Sequence, residues 1–353
     1  TLPLRFSYSQ PFSSYNEWKW RKKTEPKEYE KAKRVYQENI ENIAIKVASL
    51  YFAAISAQSD YLQSLAKSKD LEELYRISQR RLELGTITKG DLLQLELSKL
   101  NAKVKVNEAK IKLNDNLYDL FSYLRVTDYE HATLLPPENV PDMVLDVNEV
   151  LLKARMNSSY AITQDLELIT AQQNLAKAKS AQGIQMHLNA EVGFNRTADG
   201  FAAAYSHLQD NEIVGVTITV PIFDWGVKRG RVMVAKSNLE LAKTKREQAD
   251  NDYVQSVKRE VMQFSLQAEQ CRTSLRAQKI SQERYEITKK RFEAGNVSVT
   301  ELNTALQEME TAKSQYLGQL KTYWNYYYTL RKFTLYVWVQ HQKLVVDFDS
   351  LVL

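Results

Sequence analysis

The sequence predicts a mostly helical protein of long coiled-coil hairpins that also carries a few strands of bilayer-crossing length. Three observations predict it: two long stretches without Gly or Pro, short segments alternating apolar and polar residues, and a repeat at one fixed offset of 210 residues. Composition agrees. The 353 residues include only 10 Gly and 7 Pro, too few for a collagen-like, low-complexity or turn-dense all-β chain. The formal charge of +5 gives no argument for a nucleic-acid partner. One cysteine, Cys271, excludes an intramolecular disulfide framework and a Cys-based zinc site. His131, His187, His207 and His341 are too scattered for a metal motif. No uninterrupted apolar run approaches the ~18 residues of a membrane-spanning helix, so none is expected. The first residue is Thr1, which suggests a processed or truncated chain.

Element by element, the first segment is an alternating strand, with Leu4, Phe6 and Tyr8 on one side and Arg5, Ser7 and Ser9 on the other. Residues 27–84 then lack Gly and Pro, enough for a rod of about 87 Å at the α-helical rise. Tyr36, Ile40, Ile43, Val47, Leu50, Ala54, Ala57 and Tyr61 step by 4 and 3, the spacing of a coiled-coil seam. An offset seam runs through Ala44, Ala48, Tyr51, Ile55, Leu62 and Leu65, interrupted by the polar Gln58. Two seams on one helix require neighbours on both flanks, as in a ring of helices; an antiparallel bundle is the plainer alternative. The break Leu84–Gly90 follows, where Gly85 permits a left-handed turn and a Thr beyond it can cap the next helix, which runs to about Leu124. Residues 127–147, with Pro136, Pro137 and Pro141, form a linker.

The second half enlarges on this plan. A helix that includes Asn174–Ala181 precedes an alternating strand from Met186 to Asn195. A hydrophilic loop, about 196–212, leads to a further strand, Val214–Ile222, with Val214, Val216, Ile218 and Val220 on one side and Thr217 and Thr219 on the other. A second rod covers 231–294, about 96 Å, with a seam at Val254, Val257, Val261, Phe264, Ala268, Cys271 and Leu275. A break from Ala294 to Thr300 around Gly295 and a helix to about Tyr336 complete it, the latter aligning Tyr316, Leu320, Tyr323, Tyr327 and Leu330 on one face. At the 210 offset, Tyr75, Arg81, Glu83, Gly85, Leu92, Ala102 and Lys103 recur as Tyr285, Arg291, Glu293, Gly295, Leu302, Ala312 and Lys313, and Asp91 becomes Glu301. Strand 4–12 lies over 214–222 at the same offset. A small soluble sheet would give the same alternation; Trp18, Trp20 and Trp225 just beyond the strands favour a membrane interface.

Three features carry a family resemblance, one of them the Ala-rich helix Asn174–Ala181 that enters the strand from Met186. Val216–Gly226, ending Pro-Ile-Phe-Asp-Trp-Gly, resembles the strand that enters a long helix in TolC-family outer-membrane efflux proteins, and Tyr285–Leu302, echoed at Tyr75–Leu92, resembles that family's hairpin turn. Departures are Gln185 where the family has Pro, Leu82 for an aromatic, and Phe12-Ser-Ser-Tyr15 in place of FDxG. The first repeat also lacks the 65–70 residues that precede the last strand of the second, so a helix and a strand are expected before Thr1. The resemblance implies a homotrimer whose strands form a 12-stranded β-barrel in the outer membrane of a Gram-negative bacterium and whose hairpins form an α-barrel in the periplasm. It implies a passive duct of a tripartite efflux or secretion system, with a periplasmic adaptor, an inner-membrane pump of RND or ABC type and outer-membrane lipid as partners, and no cofactor. The expected organisation is a first repeat at 1–126, a linker at 127–147, a second repeat at 148–338 and a tail at 339–353.

No catalytic constellation is present, so the chain is not expected to be an enzyme. Asp224 reads as a helix N-cap and Cys271 as a buried structural thiol. Asp91 and Glu301 are either carboxylates favoured by a helix N-terminus or, as the resemblance implies, acids lining the periplasmic entrance. Gly85, Thr86, Gly295 and Asn296 are similar to the family's adaptor-contact turns. Val214, Val216, Ile218 and Val220 are the expected lipid-facing row. A soluble coiled-coil scaffold or membrane-surface protein is the alternative; it has no use for the duplicated strands.

Overall fold

The computed structural model describes residues 4–11, 15–128, 132–137, 140–141, 143–195, 209–220, 222–348 and 350. Thr1, Phe12–Ser14, Pro221 and most of the expected 196–212 loop lie outside the described residues. The order is β1 (Leu4–Pro11), α1 (Glu17–Glu83), α2 (Lys89–Leu124), α3 (Val147–Asn157), α4 (Tyr160–Gln182), β2 (Gln185–Asn195), β3 (Gln209–Thr219), α5 (Val227–Glu293), α6 (Val299–Thr334), β4 (Tyr336–Val337) and β5 (Gln342–Lys343). The duplication is carried into the boundaries. α1 and α5 are both 67 residues, α2 and α6 both 36, and each pair starts and stops 210 residues apart. Even the left-handed residues ending the return helices, Arg125 and Leu335, keep the offset.

Two compact units emerge, and each takes a segment of both repeats. The first holds residues 1–35 and 159–254. Its sheet has the order β1-β2-β3, all antiparallel, with Tyr8 opposite Ala190 and Leu188 opposite Val216. Beside it, Asp165 of α4 holds Lys27 of α1 at 2.8 Å and Arg246 of α5 at 2.9 Å, and the Tyr160 and Tyr253 rings stack at 3.9 Å.

The second unit holds residues 36–158 and 255–353. Val257, Val261, Phe264, Ala268 and Cys271 are buried, as the second seam requires. In α1 the seams are buried only in part: Ala48, Ala54, Ile55 and Ala57 are inside, whereas Tyr36, Ile40, Ile43 and Leu62 remain exposed. Part of the apolar surface of this helix therefore stays open to solvent, although the Tyr36 ring packs edge-on against Phe348 at 5.7 Å. One apolar cluster joins Leu71 and Leu74 of α1, Leu95 and Ala102 of α2, Tyr285 and Phe292 of α5, and Leu302 and Leu306 of α6.

Several expectations are corrected. α1 begins at Glu17 and contains Pro26, so the first rod starts ten residues before the expected 27. Pro26 is exposed but is the tenth residue of α1, beyond the free amides of the first turn, so the helix continues through it at the cost of one interior amide bond. Trp18 and Trp20 consequently belong to a helix. β3 starts at Gln209 and takes the end of the expected loop, because β2 supplies a pairing partner as far as Asn195. α6 stops at Thr334; Leu335 is left-handed and the β4–β5 hairpin follows, burying Trp338. α1 also contains an 18-residue stretch that by length and composition alone is apolar enough to cross a membrane, although it is not an uninterrupted apolar run. Apolar residues filling two seams raise its average hydropathy.

Candidate functional site

The paired turns are built identically. Gly85 (φ +69°) and Gly295 (φ +85°) are left-handed, the conformation in which a Cβ is costly. The Gly85 amide donates to the Leu82 carbonyl and the Thr86 amide to that of Arg81, each at 2.9 Å. The Gly295 and Asn296 amides donate likewise to Phe292 and Arg291, also at 2.9 Å. These are Schellman closures, which satisfy the last carbonyls of α1 and α5. The two turns meet: the Arg81 guanidinium donates to the Phe292 carbonyl at 3.3 Å and covers the Phe292 ring at 5.4 Å. A Cβ on Gly295 would stand 3.5 Å from that guanidinium.

Asp91 and Glu301 hold equivalent positions in the first turns of α2 and α6. Thr88 caps α2, accepting from the Asp91 amide at 3.1 Å. The Asp91 carboxylate accepts in return from the Thr88 amide at 3.1 Å and its hydroxyl at 2.8 Å, completing a capping box. Those two hydrogen bonds hold the Asp91 carboxyl below the ordinary carboxylate range. Ser298 caps α6 by accepting from the Glu301 amide at 3.2 Å, while the Glu301 carboxylate faces Arg291 at 3.9 Å. Asp91 is thus committed to its own helix end, and Glu301 is only loosely held.

Below the turns, Asp70 of α1 accepts from the Tyr285 hydroxyl at 2.9 Å and the Lys289 ammonium at 2.8 Å. Burial, then the Asp70 carboxylate, pushes the Tyr285 phenol up, so it remains a donor. Lys67 pairs with Glu310 at 3.0 Å. The sequence shows Tyr285 as a repeated position, but its partner Asp70 has no counterpart in the repeat and is visible only in the fold.

The sheet has two chemically distinct faces. Phe6, Tyr8, Val192, Val214, Val216 and Ile218 share the apolar one and are all exposed. Val220 lies just past β3 and is also exposed. On the opposite face, the Ser9 hydroxyl donates to Asn189 at 2.8 Å, and the Asn189 amide donates to Thr217 at 3.0 Å, a polar row across three strands. Arg5 pairs with Glu191 at 2.7 Å on that same face. Beyond β3, Asp224 caps α5, accepting from the amides of Gly226 and Lys228 at 3.1 and 3.0 Å. Trp225 (φ +54°) is itself left-handed and 86% exposed, packed edge-on against Phe223.

Gln58, which interrupts the offset seam, binds the linker. Its side-chain amide donates to the Leu134 carbonyl at 2.8 Å and accepts from the Leu134 amide at 2.9 Å. The Tyr51 hydroxyl donates to the Leu135 carbonyl at 2.6 Å, and that of Tyr323 to the Pro141 carbonyl at 2.9 Å. The linker is thereby tied to both hairpins. A polar residue in an apolar seam was the available signal. Glu41, 1% exposed, pairs with Arg331 at 2.7 Å, and its carboxyl is raised by burial. Burial likewise pushes the Cys271 thiol up to about 11, leaving it a poor nucleophile. No cluster of metal-ligating side chains exists among the described residues.

The sequence profile of the outer membrane efflux protein family matches residues 159–334. No curated protein matches the sequence significantly. Solved structures share the fold: the Campylobacter jejuni CmeC outer membrane channel superposes with a TM-score of 0.75 over 98% of this chain and 72% of that one, at 16% identity. The Vibrio cholerae outer membrane protein VceC gives 0.72 over 97% and 80%, at 12% identity. The open state of the Neisseria gonorrhoeae MtrE outer membrane channel gives 0.68 over 94% and 79%, at 15% identity. With residues 159–334 matched by the family profile, and the boundaries of α5 and α6 recurring 210 residues upstream in α1 and α2, the chain belongs to the TolC family of outer membrane efflux proteins, as a duct of the outer membrane that extends into the periplasm.

Proposed function

We propose that three copies of this chain assemble into the duct and that the two turns around Gly85 and Gly295 are docking points for a periplasmic adaptor working with an inner-membrane pump. The observation carrying the adaptor reading is the identity of the two Schellman turns, each presenting exposed backbone after a 67-residue helix. A trimer would present six similar turns. The exposed apolar side chains of α1 such as Ile43, and the outer edges of β1 and β3, are the surfaces a neighbouring copy would cover. Asp91 and Glu301 would then ring the entrance, with Glu301 the freer of the two. Family and structural neighbours are channels, which supports a duct over a catalyst. The alternative of a coiled-coil scaffold leaves the apolar sheet face without a purpose.

Gly85→Trp and Gly295→Trp test the docking. Each puts an indole on a left-handed turn, and at Gly295 also against Arg81. Export should be lost while oligomer yield and bilayer conductance stay at wild-type level, and a photocrosslinker at Thr86 or Asn296 should capture the adaptor. Undiminished export with both glycines replaced would refute the docking role and leave the duct intact.

A further inference from the structure

All chain connections between the described sheet and its helices leave from one end of the sheet. β1 ends at Pro11 opposite His187, β3 ends at Thr219 opposite Gln185, and β2 starts just after α4 stops at Gln182. The starts of α1 and α5 therefore both adjoin that end. Both are basic. Lys19, Arg21, Lys22 and Lys23 in α1, and Arg229 and Arg231 in α5, are all exposed.

Helix electrostatics do not favour this pattern. The N-terminal turn is the positive end of the macrodipole, where acids stabilise and cations do not. The first turn of α5 nevertheless contains no acid, and the Asp224 carboxylate just before it is engaged by the Gly226 and Lys228 amides. In α1, Glu17 pairs with Arg21 at 2.8 Å, and among the described residues the other five cations have no ion-pair partner. The repeat keeps the arrangement: Lys19 and Arg229, and Arg21 and Arg231, stand 210 residues apart, as do the aromatic residues Tyr15 and Trp225. The cations sit among aromatic rings, with the Arg21 guanidinium 5.7 Å from the Trp18 ring and the Lys23 ammonium 5.0 Å from the Trp20 ring. Trp18 and Trp225 are 73% and 86% exposed.

We propose that these two helix starts form a belt that binds anionic phospholipid headgroups in the leaflet facing the periplasm. The proposal rests on the reading that the apolar sheet face meets outer-membrane lipid. The belt then continues that face: apolar strands, then amphipathic indoles at headgroup level, then cations at the phosphate plane. Glu17 and Asp224 place one carboxylate at each helix start, but Glu17 pairs only Arg21 and Asp224 is spent on backbone amides, so an anionic headgroup supplies the counter-charge for the remaining cations. A zwitterionic headgroup has no net charge to offer, and free phosphate has no reason to select a site continuous with an apolar surface.

The full-length protein, reconstituted in phosphatidylcholine vesicles, provides the test. Its Trp fluorescence is titrated with brominated phosphatidylglycerol or brominated phosphatidylcholine, and conductance is recorded separately. We expect the protein to prefer phosphatidylglycerol by about fivefold, the effect of roughly one near-surface cation, with the preference falling as salt rises. Replacing all six cations by Gln should bring the ratio to about one, and replacing the three arginines by Lys should preserve it. Equal quenching by the two lipids in the wild-type protein, or an unchanged preference after the six Gln substitutions, would overturn the headgroup belt. The wild-type salt dependence decides the matter even if the sixfold variant fails to assemble. A wild-type protein that neither inserts nor conducts would instead overturn the membrane reading on which the belt rests.

Discussion

Gln58→Ala removes a side chain that both donates to and accepts from the linker backbone. The structure gives two hydrogen bonds, 2.8 Å to the Leu134 carbonyl and 2.9 Å from the Leu134 amide. Each contributes about 1 kcal/mol net, and a buried group left unpaired costs about 1–3 kcal/mol. Gln58 and Leu134 are both half-buried, so water can reach part of the vacated site. The expected loss is about 1.4–2.8 kcal/mol in local opening free energy, a tenfold to hundredfold acceleration of Leu134 amide exchange. Hydrogen exchange read at the peptide containing Leu134 measures it, with the α5–α6 turn as internal control. Gln58→Glu is the discriminating variant: its carboxylate still accepts from the Leu134 amide but loses the donor to the carbonyl. Protection of that amide should survive in Gln58→Glu and vanish in Gln58→Ala. Unchanged exchange in Gln58→Ala, or equal loss in both variants, would refute the assignment of Gln58 as the linker clamp.

Further outcomes follow from the same geometry. Ile218→Arg on the apolar sheet face should impair outer-membrane insertion by about 2–4 kcal/mol if it lies near the bilayer midplane, whereas Thr217→Arg on the polar face should be tolerated; trimer yield in outer membranes reads the difference. Asp91→Asn with Glu301→Gln should weaken cation selectivity and block by trivalent cations in planar bilayers. The Thr88 hydrogen bonds lower the Asp91 pKa, so the stability Asp91 lends to the α2 start is present above its unfolded pKa and is lost as pH falls through the lower folded value; a pH titration of α2 exchange checks this. Arg331→Leu should destabilise the protein by about 3–5 kcal/mol by leaving Glu41 buried without its counter-charge. Burial raises the Glu41 pKa, so the wild type should lose stability as pH rises through that value, and the Arg331→Leu deficit should shrink on acidification; denaturation at several pH values tests both.

The sequence by itself determined the repeat and most element types. Absence of Gly and Pro, 3.5-residue seams and Gly-to-Thr or Gly-to-Ser spacings are local signals, and each maps onto a local hydrogen-bonding need: an unbroken helix, a left-handed stop at Gly85 or Gly295, a cap at Thr88 or Ser298. A helix through Pro26 and a β3 that starts at Gln209 were not legible, because the first depends on contacts beside the proline, such as Lys27 with Asp165 of α4, and the second on the strand lying opposite. Tertiary structure alone decided what the lone polar and charged positions do. Gln58 looked like a flaw in a seam until Leu134 was placed against it, 76 residues away in sequence. Asp70 became meaningful only beside Tyr285 and Lys289, and Glu41 only beside Arg331. Periodicity reports which face of an element is buried, but a hydrogen bond or ion pair needs two atoms about 3 Å apart, and residues on different helices are brought to that distance only by the packing of the hairpins.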